Sequence, residues 1–168
     1  MTTPVKTVLL LSMAMWMGCG SSLKAARSPT GERIAVAVIF ELDPAVRNMD
    51  QVEQVIGFMQ PDLERILRGA GYVVKRGTTR GEFTPSPNHY AVVIRVTRYD
   101  PGSKAARMMV GLGAGTLVLD TQNELLGAPE NVLFQSNSSV GSSRDWNNAA
   151  RKINLQVARE ITSFLSAR

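Results

Sequence analysis

Two stretches of the chain carry hydrophobic patterns that predict strands at the centre of a sheet. Residues 34–40 are apolar at nearly every position, which is typical of a strand covered on both faces. Residues 90–99 alternate instead, so Val92, Ile94 and Val96 are predicted to face the core. These two strands are expected to organise the rest of the fold.

Three further strands are predicted from shorter patterns. Residues 72–76 form one short strand, and residues 116–122 and 131–139 are expected to pair as an antiparallel hairpin. The polar stretch 135–139 has no apolar face, which is typical of an edge strand that meets water.

The first predicted helix lies between the strands at 34–40 and 72–76, which indicates a crossover between parallel strands. Asp50 and Glu53 form a capping-box-like start, and Gly69-Ala70-Gly71 ends the helix. Pro61 interrupts the apolar stripe, so it either kinks the helix or begins a second helical segment.

A final amphipathic helix is predicted to begin near residues 142–143, with Asp145 in its first turn. Its apolar stripe could lie on a membrane surface, but two such stripes are what a sheet of this size needs to bury one face. The predicted fold class is therefore α+β, with a single mixed sheet of about five strands and two amphipathic helices packed on one face.

The N-terminus has the pattern of an export signal. Residues 1–18 hold one charge and an apolar run that is too short to span a membrane as a helix, so they are predicted to be a signal peptide. Cys19 is the only cysteine, and it stands where a lipoprotein signal peptidase would leave it as a lipidated first residue. Ordinary secretion and an uncleaved anchor are the alternatives. We expect a palmitate-bearing Cys19 and a flexible tether over 19–31, then a single periplasmic α/β domain over 32–168.

Composition narrows the candidate functions. The formal charge of +5 falls to +4 without the signal peptide, which is too small a surplus to indicate nucleic-acid binding. One histidine and one cysteine cannot supply the usual zinc ligands, and no Gly-x-Ser-x-Gly elbow is present. We therefore predict no catalytic residues, no metal and no cofactor, and a protein that is not an enzyme.

Residues 100–116 break the regular patterns, with glycines at 111, 113 and 115 in an otherwise apolar run. Gly111, Gly113 and Gly115 allow three interpretations. They could cradle a phosphate, they could belong to a membrane-inserted strand over 108–119, or they could leave room for a neighbouring backbone in the sheet. The structural interpretation is favoured, because no helix follows the glycines as a dinucleotide site requires.

Arg107 is the charged residue in this stretch that we single out. Asp100 and Asp120 flank the segment and could pair with it as a structural ion pair. The alternative is an exposed arginine that binds a carboxylate or phosphate of a partner.

These same residues carry a family resemblance. The run Tyr99-Asp100-Pro101-Gly102, then Ala105-Ala106-Arg107 and Gly111-x-Gly113-Ala114-Gly115, resembles the signature of a bacterial lipoprotein family known as a domain of unknown function, number forty-four ten. The likeness extends from Arg33 to the C-terminus. It implies a secreted α/β domain with no established activity. Members of that family have a short turn between the next two strands, whereas this chain has residues 123–130, so the loop there is not predicted.

The functional prediction is a non-catalytic, lipid-anchored envelope lipoprotein that acts as a periplasmic binding or assembly module. Gly20 and Ser21 after the cysteine, with no aspartate, favour the outer membrane. The expected partners are the membrane, through the lipid, and an envelope protein or cell-wall polymer, but not nucleic acid. The alternatives are a component of an oligomeric outer-membrane assembly that inserts 108–119, or a small-ligand or nucleotide-binding domain.

Overall fold

The sheet and its two helices follow the predicted order along the chain. The computed structural model describes residues 23–28, 31–47, 49, 51–103, 116–128, 131–143 and 145–167. Its elements are β1 (Ala35–Leu42), α1 (Val52–Ala70), β2 (Val73–Arg76), a 3₁₀ turn (Arg80–Glu82), β3 (His89–Asp100), β4 (Leu117–Gly127), β5 (Asn131–Ser142) and α2 (Trp146–Ser166). The strand order is β2-β1-β3-β4-β5. This mixed five-stranded sheet with two helices confirms the α+β prediction.

β1 lies between β2 and β3 and is parallel to both. Val36 and Val38 belong to the main core beneath the helices, while Ala37 and Ile39 belong to a smaller cluster on the opposite face. All four side chains are buried, so the continuous apolar run correctly predicted a strand covered on both sides.

Different segments cover the two faces of the sheet. Both helices pack over the main core. The connection from β2 to β3 crosses the other face, where Phe83 packs on the small cluster. This connection comes so close at Gly77 that a Cβ there would lie 2.5 Å from Cγ1 of Ile39, which explains a glycine at this point. Residues 77–88, which connect these two strands, therefore cover part of the sheet.

The helix ends differ in part from the predicted ones. α1 continues through Pro61 as one helix, so a separate second segment is wrong. It ends as predicted at Gly71, which has a φ of 110° and donates its N–H to the carbonyls of Leu67 and Arg68. At its start, Gln51 occupies the N-cap position and makes no side-chain capping bond. The predicted capping box pairs Glu53 with Asp50, which lies outside the described residues, so it stays a prediction.

α2 begins later than predicted because Ser142 is the last residue of β5. The N-cap of α2 is Asp145, whose carboxylate accepts the Asn148 N–H at 2.7 Å. The apolar stripe of α2 is part of the core, which is the favoured interpretation of its amphipathic pattern.

β4 and β5 are longer than their apolar patterns predict. The side chain of Asn123 is 2% exposed and lies within β4, where it donates to the Ser138 hydroxyl at 3.0 Å and accepts from Thr121 at 3.0 Å. Because these polar side chains hydrogen-bond to one another, this polar stretch can occupy buried positions in two paired strands. Residues 123–127 are therefore strand and not loop. β5 is an edge strand, as predicted.

The described part of the predicted tether is attached to the domain. The N–H of Ala25 donates to the carbonyl of Ala70 at 2.7 Å, and the N–H of Ala26 donates to the Tyr72 hydroxyl at 3.3 Å. Leu23 and Ala25 also pack against the core. Residues 23–28 thus extend the folded unit beyond the expected start at residue 32. No helix in the described ranges is both long and apolar enough to cross a membrane.

Candidate functional site

The residues singled out from the sequence lie outside the described residues. This applies to Cys19, Arg107 and the glycines at 111, 113 and 115. The two possible partners of Arg107 are described, and both have other contacts. Asp100 accepts the Gly102 N–H at 2.9 Å, and Asp120 accepts from the Ser139 hydroxyl at 2.5 Å. The pairing of Arg107 stays a prediction.

His89 is the first residue of β3. Its Nδ1 lies 3.2 Å from the carbonyl oxygen of Thr84, and its ring meets Phe83 edge-on at 5.1 Å. Nε2 has no hydrogen-bond partner within the described ranges. Among those residues no group of three or more histidine, cysteine, aspartate or glutamate side chains is placed to hold a metal ion.

The structure instead brings charged residues together in a cleft at the carboxyl ends of β1 and β2, which we call the carboxyl-edge cleft. The connection after β1 leads to the helical face, and the connection after β2 leads to the opposite face. In parallel sheets a crevice between two such connections is the usual place for a ligand. The cleft has a volume of about 760 Å³. It is lined by Phe40, Glu41, Leu42, Asp43, Pro44, Arg47, Glu53, Ile56, Thr78, Thr79, Arg80 and Arg95.

Glu41, at the end of β1, is the centre of the charge network in this cleft. Arg95 on β3 donates to one of its oxygens from Nη2 at 2.8 Å and from Nε at 3.2 Å. Arg80, in the 3₁₀ turn, donates to the other oxygen from Nε at 3.4 Å. Nη1 of Arg80 also lies 2.8 Å from Oε2 of Glu124 on β4. The two groups form an ion pair, but their angles do not meet the geometry of a hydrogen bond. Arg80 therefore holds the crossing segment to two strands that are not neighbours.

The network fixes the charges of its members at neutral pH. Burial raises the pKa of Glu41, but the hydrogen bonds and positive charges of Arg95 and Arg80 outweigh it and bring the pKa below its ordinary value. The pKa of Arg95 is raised, chiefly by its hydrogen bond to Glu41. Both charges are thus permanent under physiological conditions.

The two arginines keep part of their binding capacity. The side chains of Arg80 and Arg95 are 38% and 39% exposed, against 25% for Glu41. A guanidinium has five N–H donors, and those that do not face Glu41 or Glu124 have no hydrogen-bond partner within the described ranges. Phe40, Leu42 and Ile56 supply an apolar wall. The cleft therefore suits a group that carries a carboxylate or phosphate next to an apolar part.

The lining of this cleft combines fixed charges with hydroxyl and carboxylate groups. An arginine stays protonated at any physiological pH, so it cannot act as a general acid or base. Thr78 and Thr79 supply hydroxyl groups, and Glu41, Asp43 and Glu53 supply carboxylates. The arginines of the lining therefore offer positioning and charge recognition.

This grouping has no direct signal in the sequence, because Glu41 is 39 residues from Arg80 and 54 residues from Arg95. One partial signal exists: Arg95 interrupts a run of apolar positions in a strong strand, on the face opposite Val92 and Ile94. The two residues meet only because the register of β1 and β3 places Glu41 beside Arg95.

Comparisons with known proteins identify the family and the fold. The model of the family described as "Domain of unknown function (DUF4410)" matches residues 21–151, so the chain belongs to this family, as the resemblance predicted. No curated protein matches the sequence.

Solved structures with a similar fold include a PelC variant dodecamer from Paraburkholderia phytofirmans. Its TM-score is 0.55 at 14% identity, over 84% of this chain and 93% of that chain. A PelC dodecamer from the same organism in another crystal form has a TM-score of 0.51 at 14% identity, over 81% and 89%. A hemagglutinin homolog from Helicobacter pylori has a TM-score of 0.46 at 9% identity, over 99% of this chain and 98% of that chain. This similarity is too low to support a conclusion about this chain. At these identities the likeness shows the fold alone.

Proposed function

We propose that this DUF4410 protein is a non-catalytic, lipid-anchored envelope lipoprotein that binds an anionic group of another envelope component in its carboxyl-edge cleft. The observation that carries the binding function is the pair of half-exposed arginines, Arg80 and Arg95, held in place by Glu41 beside an apolar wall. Because Glu41 fixes both guanidinium groups before a partner arrives, little side-chain entropy is lost on binding.

Photo-crosslinking in cells tests the binding site directly. A photoreactive amino acid at Thr79, which lines the cleft, is expected to crosslink to a defined partner, and Arg95→Gln is expected to reduce that crosslink several-fold. Arg98→Gln is the matched control, since Arg98 lies on the same strand but its side chain is 60% exposed and outside the cleft lining. Equal crosslinking in the two variants would contradict the proposed site.

The lipid anchor rests on the sequence around Cys19. A short apolar run ends in Gly18-Cys19, followed by Gly20 and Ser21, which favours lipidation and transfer to the outer membrane with the domain facing the periplasm. Globomycin, which blocks the lipoprotein signal peptidase, is expected to make an unprocessed precursor accumulate. Unchanged processing under globomycin would refute the lipoprotein proposal.

A second candidate is a subunit of an oligomeric outer-membrane assembly. The fold likeness to PelC, which forms dodecamers, supports this candidate, as does the position of β5 at the edge of the sheet. In this candidate the segment 108–119 enters the membrane. Residues 108–115 lie outside the described residues, whereas Leu117–Leu119 begin β4, where the side chains of Leu117 and Leu119 are buried in the core, so this end of the segment belongs to the sheet.

The same crosslinking design separates the two candidates. A photoreactive residue at Gln135 on β5 is expected to join two copies of the chain if the assembly exists. Native mass spectrometry of the detergent-extracted protein then gives the number of copies. A monomer in detergent with no crosslink from residue 135 would exclude the assembly, while a crosslink from residue 79 to another protein would support the first candidate.

A further inference from the structure

A second cleft lies at the opposite edge of the sheet, at the amino end of β1 and the end of α1, and we call it the amino-edge cleft. Its volume is about 620 Å³. Lys24, Arg27, Arg33 and Arg68 line it, together with small residues, and none of the described lining residues is an aspartate or glutamate. The chain has a modest overall surplus of charge, so four basic side chains around one cleft are a local concentration.

Three of these basic side chains have no acidic partner among the residues that the structure describes. Arg68 pairs with Glu64 at 2.9 Å. Lys24, Arg27 and Arg33 make no ion pair with any described residue, and all three are exposed. Their charges are therefore available to an external anion.

The backbone around the cleft is held in place. Arg27 and Arg33 face each other in an antiparallel bridge, and the N–H of Gly31 donates to the carbonyl of Ser28 at 2.8 Å. The carbonyl of Ala70 at the end of α1 accepts the Ala25 N–H, so one of the carbonyl groups that a helix end leaves without a donor is already hydrogen-bonded here.

The position of the cleft relative to Cys19 limits what it can meet. Leu23 packs against the core, and only four peptide links separate it from Cys19. At about 3.6 Å per residue these links reach at most about 14 Å. This step rests on the proposed lipidation of Cys19. With that anchor, Leu23, at the rim of the cleft, stays within about two Debye lengths of the membrane surface at physiological salt, since each is about 8 Å.

We propose that the amino-edge cleft binds the phosphate groups of anionic phospholipids, so that the amino edge of the sheet lies against the membrane that holds the anchor. The carboxyl-edge cleft, at the other end of the parallel strands, then faces away from the membrane. The short anchor and the basic cleft together orient the domain, which a free tether over residues 19–31 would not do.

Vesicle binding tests this proposal without the anchor. The protein to use is the chain from residue 19 to 168 with Cys19→Ser, called the lipid-free chain, because it keeps every described residue. It is expected to bind vesicles of phosphatidylcholine with about 30% phosphatidylglycerol, and not vesicles of phosphatidylcholine alone. Since each basic side chain near an anionic membrane contributes about 1 kcal/mol, Arg27→Gln with Arg33→Gln is expected to weaken binding about thirtyfold.

The matched control removes the same charge elsewhere. Arg151→Gln with Lys152→Gln changes two exposed residues of α2 and is expected to leave vesicle binding within about threefold of the parent. Equal losses in the two double variants would mean that net charge and not the cleft binds the vesicles, which would overturn the proposal. Arg27→Lys with Arg33→Lys is expected to retain most of the binding, and equal melting temperatures exclude unfolding as the cause.

Two further vesicle-binding measurements identify the ligand. Inhibition of vesicle binding by millimolar glycerol phosphate, to the level of the Arg27→Gln and Arg33→Gln variant, would show that the cleft takes a soluble phosphate, and would overturn the membrane assignment. Equal binding to neutral and anionic vesicles would overturn it as well. None of these results depends on lipidation, so they are independent of the globomycin experiment.

Discussion

Asn154 is expected to be the most sensitive polar residue in the interface between the two helices. It lies in the middle of α2 and is 0% exposed. Its Nδ2 donates to the carbonyl of Met59 at 3.0 Å and to Oδ2 of Asp62 at 3.0 Å, both on α1. Asp62 is itself only 7% exposed, and its other oxygen accepts from Arg65 at 2.5 Å. Asn154 is thus the donor that joins the two helices at a buried carboxylate.

The cost of Asn154→Ala follows from what it leaves unpaired. The carbonyl of Met59 lies within α1 and keeps its helical bond, so the main loss falls on Oδ2 of Asp62. A buried acceptor without its donor costs about 1 to 3 kcal/mol. Alanine favours the helix by about 0.5 kcal/mol over asparagine, and the change also removes Oδ1 of Asn154, which has no partner within the described ranges. The expected net loss in the free energy of unfolding is about 2 kcal/mol.

Urea unfolding of the lipid-free chain measures this loss, and thermal melting checks it. A loss of about 2 kcal/mol corresponds to about 4 to 8 degrees for a domain of this size. Asn147→Ala is the matched control, since Asn147 is exposed in the first turn of the same helix and is expected to change stability by less than about 0.5 kcal/mol.

A second variant tests the electrostatic part of the argument. Asn154→Asp places a new carboxylate beside Asp62 in a buried interface, so the pKa of the introduced carboxyl is expected to rise. Its destabilising effect is then largest at pH 7 and declines as the pH falls and the new carboxyl takes a proton. If Asn154→Ala were as stable as the parent, or Asn154→Asp equally unstable at pH 7 and pH 4, the pairing with Asp62 would not stabilise the interface.

Three other predictions concern a helix cap, an ion-pair network and the glycine motif. Asp145→Ala is expected to lower stability by about 1 kcal/mol in a urea titration, because the Asn148 N–H loses its acceptor, whereas Asp145→Asn keeps most of it; equal losses in both would contradict the cap. Burial raises the pKa of Glu64, but its hydrogen bonds to Arg76 and Arg68 outweigh burial and lower the pKa below its ordinary value. The stabilisation by Glu64 is therefore present above its ordinary pKa of about 4.5 and lost as the pH falls through the lower folded value. Glu64→Gln is expected to reduce stability at pH 7 but hardly at pH 3, and a pH-independent loss would refute this assignment. Gly113→Val is expected to lower the melting temperature of the lipid-free chain by several degrees if the glycine faces a neighbouring backbone, since overpacking costs about 1 to 3 kcal/mol. A melt equal to the parent's would favour the membrane-strand interpretation.

The extent of the strands could be predicted only where apolar residues define them. β3 was recognised nearly to its ends, because Val92, Ile94 and Val96 alternate with residues of the other face. The later part of β4 was not recognised as strand, because Asn123 and Glu124 are polar. Their partners are serines on β5 and an arginine beyond β2, and a single-segment pattern cannot show partners at that distance.

The candidate sites depended almost wholly on tertiary contacts. Neither the carboxyl-edge cleft nor the amino-edge cleft corresponds to a sequence motif, because each collects residues that are far apart in the sequence. The segment 23–28 has the composition of a free linker, yet Ala25 and Ala26 hydrogen-bond to the end of α1 and to Tyr72. Such bonds use backbone groups, which every residue type has, so composition cannot predict them.

By itself the sequence determined the family, the α+β class, the two buried helical stripes and the strand covered on both faces. These features follow from local periodicity, since the burial of apolar side chains repeats with the geometry of each element. The tertiary structure alone decided which polar and charged side chains meet: Glu41 with Arg80 and Arg95, Asn154 with Asp62. A polar residue gains its stability from a particular partner at hydrogen-bond distance, and the sheet register and helix packing that bring the partners together are properties of the whole fold.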